Sequence, residues 1–294
     1  MNHPLVSVVI ASFNMGQYLP QAIQSILDQT YKNLEVIVID DGSTDDTESN
    51  VSSMLGDTRL RYIKQVNLGQ PKAKNNGLAH CQGEFIAFCD GDDLWEKNKL
   101  ELQIPLFNRP EVGVVYSEVS YIDENNQRYD KQPPYERYQG KITEQLLEKN
   151  FVPFGTAIIR KECLDKDGVF NDEYRMGIDW DLWLRYSLNW EFSFCPSKTY
   201  IYREWSGQMS NNMKGRYEYA FKILAAFEAK HGSKLSQKSI NHSWADMYVS
   251  RGVAMARTER HFISPLKDII KGLSMEPSSI YGWKALIKLF LRKI

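Results

Sequence analysis

Four residues form an acidic run, Asp90-Gly91-Asp92-Asp93, directly after an apolar segment. Carboxylates are oxygen ligands of the kind that Mg²⁺ and Mn²⁺ take, and such an ion binds one or two of them and completes its shell with water and phosphate oxygens. Gly91 allows the backbone to approach a ligand closely. The run could instead be an acidic turn before a helix that starts near Trp95. Its place at a strand end favours a site for a divalent ion and a phosphate-bearing ligand.

Polar residues also follow the other strands predicted in this part of the chain. Ser12 and Asn14 end the first strand, Asp40 and Asp41 end the second, and Asn67 follows the third. In an open α/β sheet, ligands bind beyond the carboxyl ends of the strands, so we expect these side chains along one edge. Because clustered carboxylates repel one another, a cation or strong hydrogen-bond donors should lie among them.

The elements that must position these residues alternate between strand and helix over residues 5–90. Continuous apolar runs at Val6–Ala11, Leu34–Asp40 and Glu84–Cys89 are typical of strands buried on both faces of a parallel sheet, and Leu60–Lys64 is a shorter strand. Helices are predicted at Tyr18–Gln29 and Ala73–Cys81, and a turn of helix-capping residues at 41–45 should open another helix that continues to about Leu55. Strict alternation predicts right-handed βαβ units and a doubly wound α/β sheet.

Beyond residue 95 the pattern is mixed. It predicts, in chain order, a helix at Lys97–Phe107, a strand at Gly113–Tyr121, a polar loop at 125–140, a strand at Thr156–Arg160, a helix at Asp179–Leu188 and one or two strands at Phe192–Arg203. From about residue 215 the chain is helical in pattern and poor in strands, which predicts a small C-terminal helical region.

Composition and missing motifs exclude several classes of function. The formal net charge of −1 and the isoelectric point near 6.5 argue against a surface for nucleic acid. No G-x-G-x-x-G follows the first strand and no G-x-x-x-x-G-K-[ST] is present, which disfavours a hydride-transfer enzyme and a P-loop NTPase. The four cysteines form no C-x-x-C pair and the five histidines have no ligand spacing, so a zinc site is not expected.

The same features indicate where the protein works. The N-terminus reads as a strand without a secretion signal, no apolar run reaches the roughly 18 residues of a membrane-spanning helix, and the cysteines read as reduced core residues. We therefore expect a cytoplasmic protein. The segment 281–294 (YGWKALIKLFLRKI) is amphipathic and basic, so it could lie on the inner face of an anionic membrane. It could equally pack its apolar face on the protein itself.

Four motifs in order carry a family resemblance: residues 8–14 (VVIASFN), 38–45 (VIDDGSTD), 67–69 (NLG) and 90–93 (DGDD). Over roughly residues 5–210 the chain resembles the family 2 inverting glycosyltransferases of the GT-A fold. The resemblance implies a Rossmann-like, doubly wound mixed sheet and a Mn²⁺ or Mg²⁺ cofactor. It further implies transfer of a sugar from a nucleotide-diphosphate donor, a UDP-sugar, to a saccharide, lipid-linked or protein hydroxyl in cell-surface polysaccharide or glycoconjugate synthesis.

The resemblance also divides the chain into a catalytic domain at 1–215, with a donor half at 1–95 and an acceptor half at 96–215, and a helical extension at 216–294. In the donor half, Asp92 is the last carboxylate of the D-x-D motif and would hold the metal. Asp90 would lie near the ribose and the metal's water shell, and Gly91 beside the donor.

The resemblance places the base of the nucleotide against Ser12, Asn14 and Asp41, with Asn67 near the base and ribose. A carboxylate can accept the N3–H of uracil, although Asp41 could also cap a helix. Lys74 stands where the family usually has Arg, on a helix that faces the diphosphate. Lys supplies a point charge without the bidentate fork, and a solvated helix charge is the alternative.

On the acceptor side, residues 177–185 (GIDWDLWLR) resemble the family's E-D motif, with Ile178 in the place of Glu. The implied general base is Asp179, which would take the proton of an acceptor hydroxyl as its oxygen attacks the anomeric carbon. Asp181 is a competing candidate. A single base and in-line attack without a covalent intermediate give inversion. Trp180 and Trp183 could contact a sugar ring or pack in the core.

Residues 202–210 (YREWSGQMS) resemble the family's closing loop, with Trp205 where many members have a His that in some binds the metal. The metal would then have one or two protein carboxylates and otherwise water and diphosphate. Ile178 and Trp205 leave an alternative, a catalytically inactive module that binds a sugar or a partner. A processive polysaccharide synthase is disfavoured, because the sequence has no Q-x-x-R-W motif.

Overall fold

The computed structural model describes residues 3–132, 136–258 and 262–291. The chain forms two compact units. One contains Met1–Ile142 with Phe151–Gln208, and the other contains Thr143–Asn150 with Met209–Ile294.

The first unit holds all the strands of the described residues, in a single mixed sheet. The strands are β1 (Val6–Ser12), β2 (Leu34–Asp40), β3 (Leu60–Lys64), β4 (Phe85–Asp90), β5 (Leu94–Trp95), β6 (Val112–Asp123), β7 (Arg128–Tyr129), β8 (Ile158–Arg160) and β9 (Glu191–Glu204). Their order is β3-β2-β1-β4-β8-β6-β9-β5, with β7 paired to β6. β1 to β4 pair in parallel, β8 lies antiparallel to both β4 and β6, and β9 runs parallel to β6.

The helices of the first unit connect these strands. They are α1 (Leu19–Leu27), α2 (Thr47–Val51), α3 (Gln70–Ala79), α4 (Lys99–Gln103), α6 (Lys161–Asp167) and α7 (Ile178–Ser187), with short 3₁₀ turns at Ser52–Met54, Ile104–Leu106 and Phe154–Thr156. Apart from Ala11, the apolar residues of β1, β2 and β4 are buried, which is why the sequences of these strands are continuous apolar runs rather than alternating ones.

Most predicted elements are confirmed, with differences at their ends. β2 and β3 have the predicted bounds. Helix α3 begins at Gln70 rather than Ala73, because Gly69 at φ +89° turns the chain and Pro71 fits the first helical turn. The region 192–203 is one strand, not two. The predicted loop at 125–140 contains the short strand β7, and its residues 133–135 lie outside the described part of the chain.

The second unit is helical. Its helices are α5 (Thr143–Glu148), α8 (Met213–His231), α9 (Gln237–Thr258), α10 (Ile263–Met275) and α11 (Ile280–Phe290), with 3₁₀ turns at Met209–Asn211 and Gly232–Lys234. Val249, Ile269, Leu273, Ala285 and Leu289 form the buried core that holds α9, α10 and α11 together. Within the described ranges, every helix is too short or too polar to cross a membrane.

A buried lysine joins helix α4 to the 3₁₀ turn at Phe154–Thr156. The Lys99 side chain is fully buried, and its Nζ donates to Gln103 Oε1 at 2.6 Å and to the Thr156 carbonyl at 2.7 Å. Gln103 Nε2 also donates to the Thr156 carbonyl, at 2.9 Å. Both partners of the ammonium group are neutral. Burial therefore lowers the pKa of Lys99 to about 7.

This burial predicts a specific pH dependence of stability. Between the folded pKa of about 7 and the ordinary lysine pKa of 10.5, the unfolded chain binds a proton that the folded chain does not, so stability rises with pH. Lys99→Met removes the titrating ammonium group, while Gln103 still donates a hydrogen bond to the Thr156 carbonyl. Relative to the variant, the wild type should gain up to about 1.4 kcal/mol per pH unit from about pH 7 to 9, measured by urea unfolding. Parallel curves for the two proteins would contradict the lowered pKa.

Candidate active site

The polar residues that end the parallel strands lie along one edge of the sheet, as the sequence predicts. In the register of the sheet, Ser12 pairs with Asp40 and Ala11 pairs with Asp90. The three polar residues Asp40, Ser12 and Asp90 therefore belong to three neighbouring strands, β2, β1 and β4, respectively. Asn67 lies in the loop that follows β3, the next strand along, and its side chain is exposed. The edge collects the predicted donor residues in one region.

Asp41 holds the loop after β3 in place through hydrogen bonds. Its carboxylate is buried and accepts from Gln65 Nε2 at 2.7 Å, from the backbone N–H of Leu68 at 2.8 Å and from that of Gly69 at 2.8 Å. A carboxylate has about four acceptor positions, so roughly one is left for a ligand such as uracil N3–H. The predicted contact with a base is compatible with this geometry. The loop-ordering role was missed, because its partners lie 24 to 28 residues away.

Asp40 faces the interior instead. It is fully buried, and its two oxygens accept from the Ser43 backbone N–H at 2.8 Å and from the Tyr62 hydroxyl at 2.5 Å. Burial, followed by this hydrogen bond, raises the pKa of Tyr62 well above its usual value. Asp40 thus ties β2 to β3 and to the turn after β2, which supports Asp41 as the ligand-facing member of the pair.

Ser12 and Gly91 lie side by side. The Ser12 hydroxyl is buried and has no hydrogen-bond partner among the described residues. A Cβ placed on Gly91 would come within 3.3 Å of that hydroxyl. An unpartnered buried hydroxyl is costly, so it marks a place where a ligand atom would satisfy it.

Asn14 holds the neighbouring loop after β2. It has a left-handed backbone conformation with φ +53°. Its Oδ1 accepts from the Thr44 backbone N–H at 2.8 Å, and its own N–H donates to Ser43 Oγ at 2.9 Å. The residue joins the two loops that follow β1 and β2, and it remains exposed. Its position fits a contact at the rim of a donor site.

Lys74 reaches the same edge from helix α3. Its side chain is only 3% exposed, its Nζ lies 2.9 Å from Asp90 Oδ1, and the Phe154 ring centroid lies 3.7 Å from the ammonium. A solvated helix charge would not be buried in this way, so that alternative is wrong. The pair places one positive charge beside the acidic run, where a lone Lys acts as a point charge rather than a bidentate clamp.

Asp92 has an unexpected partner. Its Oδ2 accepts from the indole N–H of Trp205 at 2.8 Å, and the Trp205 ring packs on Tyr18 with 5.5 Å between centroids. Burial, followed by the nearby charge of Asp90, raises the pKa of Asp92. From the sequence, Trp205 reads only as a missing metal ligand. The indole cannot ligate a metal, but as a donor it fixes one carboxylate oxygen and leaves the other to a ligand.

Residues of strand β9 form hydrogen bonds with Asp93 and with the backbone of Asp92. The buried Asp93 accepts from the Tyr200 hydroxyl and from the Arg203 backbone N–H, each at 2.7 Å, and burial raises its pKa well above the usual range. The fully buried Arg203 donates from Nε to the Asp92 carbonyl at 2.7 Å and lies over the Tyr18 ring. Asp93 therefore has a structural role, and β9 sets the path of the backbone at Asp92.

The two acceptor-side candidates, Asp179 and Asp181, both lie at the start of α7. Asp179 lies half-buried in the first turn of α7, after Gly177 in the left-handed region at φ +71°. Asp181 Oδ2 instead accepts from both Nε and Nη2 of Arg185, at 3.0 and 2.9 Å. Arg185 also donates to two backbone carbonyls at 167 and 169. Through Arg185, Asp181 thus helps to hold α7 in place.

The two tryptophans of α7 belong to the core. Trp183 is fully buried and Trp180 nearly so. The Trp183 ring packs 6.5 Å from the Phe154 ring, which in turn lies under Lys74. These rings connect the acceptor-side helix to the donor edge by packing. They are not exposed faces for a sugar.

The donor set fits a hard divalent ion that brings most of its own ligands. Within the described ranges, no three Asp, Glu, His or Cys side chains lie close enough to hold a metal by themselves. Asp90 and Asp92 offer oxygen ligands, and Mg²⁺ or Mn²⁺ can be held by one or two carboxylates together with substrate phosphates and water. The unpartnered Ser12 hydroxyl next to Gly91 agrees with a ligand at this place.

Comparisons with known proteins identify the family of this chain. A family model described as glycosyl transferase family 2 matches residues 7–168, more than half of the chain. An uncharacterized glycosyltransferase of Rickettsia felis is 33% identical over 180 residues, which cover 61% of this chain and 29% of that protein. The Escherichia coli protein named UDP-Glc:alpha-D-GlcNAc-diphosphoundecaprenol beta-1,3-glucosyltransferase WfgD is 35% identical over 127 residues, 43% of this chain and 50% of that one. The chain thus spans at most half the length of these two relatives.

Two solved structures share the fold at low identity. S. aureus TarS 1–349 in complex with UDP-GlcNAc has a TM-score of 0.62 at 19% identity, and the alignment covers 98% of this chain and 92% of that one. The mannosyltransferase PcManGT from Pyrobaculum calidifontis, in complex with GDP-Man and Mn²⁺, has a TM-score of 0.63 at 18% identity and covers 99% and 87%. These likenesses confirm the predicted GT-A fold with its mixed sheet and C-terminal helices.

Proposed function

Because this chain belongs to glycosyl transferase family 2, we propose that it moves a sugar from a UDP-sugar to an acceptor hydroxyl with inversion at the anomeric carbon. The observation that carries the proposal is the sheet edge itself. There Ser12 and Asp90 end two of three neighbouring parallel strands, Asp41 directly follows the third, and Lys74 pairs with Asp90. Such an edge is where α/β sheets bind nucleotides.

The nucleoside is proposed to lie over the loops after β1, β2 and β3. Asp41 would accept the uracil N3–H with the acceptor position that its three protein donors leave open. Ser12 would use its unpartnered hydroxyl, and Asn14 and Asn67 would contact the base and ribose from the rim. Asp90 and Gly91 would lie along the ribose and diphosphate, with Lys74 close behind.

We propose that Asp92 is the protein ligand of a divalent ion, Mn²⁺ or Mg²⁺. When bound, such an ion offsets the charge that develops on the leaving diphosphate. Asp92 and its neighbours hold the site ready for it. The Trp205 indole fixes Oδ2 at 2.8 Å, and Arg203 fixes the Asp92 carbonyl at 2.7 Å. Groups that orient a metal ligand in this way tune its affinity. PcManGT was solved with GDP-Man and Mn²⁺, which supports a metal-bound donor.

Asp179 is proposed as the general base. It would accept the proton of the acceptor hydroxyl while the oxygen attacks the anomeric carbon from the face opposite the diphosphate. The ion pair of Asp181 with Arg185 supports this choice, because it gives Asp181 another task. One base and one displacement produce inversion, through a transition state of oxocarbenium character.

The division of labour along the chain is a proposal as well. Residues 1–215 would form the catalytic domain, with the donor half at 1–95 and the acceptor half at 96–215, and 216–294 would be a helical extension. We propose a cytoplasmic location, supported by four cysteines that are all buried free thiols. The acceptor would be a saccharide, a lipid-linked sugar or a protein in surface polysaccharide or glycoconjugate synthesis. The name of WfgD, which specifies a diphosphoundecaprenol acceptor, favours the lipid-linked class.

A screen of nucleotide sugars tests the donor proposal. Thermal shift is measured for UDP-, GDP- and dTDP-sugars, each with and without Mn²⁺. A donor at about 100 times its Kd should stabilise the protein by about 2.7 kcal/mol, which raises Tm by roughly 5–10 °C, and UDP-sugars with Mn²⁺ should give the largest shift. A larger shift with GDP-sugars would contradict the UDP assignment.

Turnover separates the enzyme from the inactive binding module. The best donor from the screen is incubated with Mn²⁺ and candidate acceptors, and release of the nucleoside diphosphate is followed. Slow release to water is expected even without the true acceptor. Tight binding with no release to water or to any acceptor would favour the inactive module, for which Ile178 is the remaining sequence argument, since Trp205 has a site role here.

A further inference from the structure

Helices α10 and α11 expose large apolar side chains that neither the core nor the proposed reaction uses. Six of them are 50–71% exposed: Ile263, Ile270, Ile280, Trp283, Ile287 and Phe290. Ile280, Trp283 and Ile287 are spaced three and four residues apart, so they form one stripe along α11. Contiguous exposed apolar side chains of this kind are typical of interaction surfaces.

The exposed stripe is not the face of α11 that packs in the core of its unit. Helix α11 already buries a different face, with Gly282, Ala285 and Leu289, against the other helices of its unit. A Cβ on Gly282 would come within 2.7 Å of Leu273 of α10, so the two helices are in close contact. One face of the segment 281–290 therefore packs on the protein itself, and the other face stays exposed. Residues 292–294 of the segment lie outside the described part of the chain.

The exposed residues of the two helices adjoin one another. The rings of Phe262, just before α10, and Phe290, at the end of α11, lie 5.3 Å apart. Trp283 Nε1 donates to the Pro277 carbonyl at 2.8 Å, so the polar atom of this half-exposed indole is already satisfied. Such a ring can enter an apolar phase without leaving a donor unpaired.

The charges on this surface have one sign. Lys267 and Lys271 of α10 and Lys284 and Lys288 of α11 are all exposed. The two acidic residues of 262–291 are both engaged elsewhere. Asp268 pairs with Arg251 at 2.6 Å, and Glu276 contacts His242 at 2.6 Å.

We infer that the α10–α11 surface, defined by the six apolar residues and four lysines above, docks on an anionic lipid bilayer. The apolar side chains would enter the boundary between headgroups and acyl chains, while the lysines extend their ammonium groups to anionic lipids. A second copy of the chain is the other occupant to consider. Self-association through this surface would bring the same four lysines together, which like-charge repulsion opposes.

Co-sedimentation of the full chain with vesicles tests the inference. Binding is expected to vesicles of phosphatidylcholine mixed with phosphatidylglycerol, and to be lost on phosphatidylcholine alone. The double variant Lys284→Gln/Lys288→Gln should partition roughly 25-fold more weakly, since each lysine near an anionic surface contributes roughly fivefold. The double variant Trp283→Ser/Ile287→Ser should lose binding even to the anionic vesicles.

Matched controls exclude a general effect of charge or folding. Lys238→Gln removes an exposed lysine of α9, and Leu55→Ser removes an apolar side chain that is 45% exposed in the other unit. Both should bind vesicles as the wild type does, and all variants should keep the wild-type circular dichroism and melting curve. Raising NaCl to about 1 M should weaken binding of the wild type, because the Debye length falls to about 3 Å.

Two results would overturn the inference. The first is a wild-type protein that sediments equally with anionic and neutral vesicles. The second is a concentration-dependent dimer in analytical ultracentrifugation that Trp283→Ser/Ile287→Ser abolishes, which would assign the surface to a second copy. No nucleotide or acceptor is present in these measurements, so the outcome is independent of the proposed reaction.

Discussion

Asp92→Asn is expected to abolish the metal dependence of donor binding and to lower kcat/KM by at least about 10³-fold, since a bound divalent ion supplies several kcal/mol of charge stabilisation. The substitution keeps the size of the side chain. Its amide oxygen can still accept the Trp205 indole N–H that Asp92 Oδ2 accepts at 2.8 Å. The variant therefore removes the charge at the proposed metal position while it preserves the hydrogen bond that orients the side chain.

Isothermal titration calorimetry of UDP with and without Mn²⁺ gives the measurement. The wild type should bind UDP more tightly with Mn²⁺, and Asp92→Asn should bind it with the same weak affinity in both conditions. Asp130→Asn, which removes a 96% exposed carboxylate, is the control and should match the wild type. Unchanged UDP–Mn²⁺ affinity in Asp92→Asn would make the metal assignment wrong.

Trp205→Phe tests the same site with a milder change than Asp92→Asn. It keeps an aromatic ring next to Tyr18 but removes the donor to Asp92. Loss of a group that orients a metal ligand lowers metal affinity by about 10- to 100-fold, so the effect should be smaller than that of Asp92→Asn. A Trp205→Phe protein with wild-type metal affinity would show that the indole merely packs.

The positions of the donor residues could be predicted because parallel strands bring their carboxyl ends to one edge. The apolar run of β2 ends where its polar residues begin, and both β2 and the shorter strand β3 have the predicted bounds. Chain order and strand direction were therefore enough to bring Ser12, Asp40 and Asp90 to neighbouring positions. This part of the site needs no knowledge of side-chain packing.

The supporting contacts could not be predicted in the same way, because they join residues far apart in sequence. The hydrogen bond from Trp205 to Asp92 spans 113 residues, and the one from Tyr200 to Asp93 spans 107. Neither has a periodic pattern that sequence reasoning can detect. Lys99 shows the same limit, since a lysine in a polar helix segment reads as exposed although its side chain is fully buried.

The candidate base could be predicted from the sequence only in part. The motif at residues 177–185 resembles an acceptor-side motif but contains two carboxylates, two positions apart on one short helix. Sequence alone leaves both as candidates. In the structure Asp181 has a partner in Arg185, whose guanidinium also binds the carbonyls of residues 167 and 169.

Asp179→Asn is expected to lower kcat by about 10²- to 10⁴-fold, the usual contribution of a general base, while the affinity for UDP and Mn²⁺ stays at the wild-type value. The reason is that Asp179 would act on the acceptor hydroxyl only and would not touch the donor. The measurement combines steady-state turnover with the calorimetry used for Asp92. Asp179→Glu keeps a carboxylate but moves it by one methylene, so it should retain part of the activity that Asp179→Asn loses.

Asp181→Asn is the matched control, because it changes the same chemical group two residues further along α7. It removes a part-buried, charge-assisted pair with Arg185, so it should lower the free energy of unfolding by about 1.5–3 kcal/mol. Its kcat, measured below its melting transition, should stay within a few-fold of the wild type. If Asp181→Asn lost turnover and Asp179→Asn kept it, the two roles would be exchanged, and Arg185 would then orient the base rather than merely the helix.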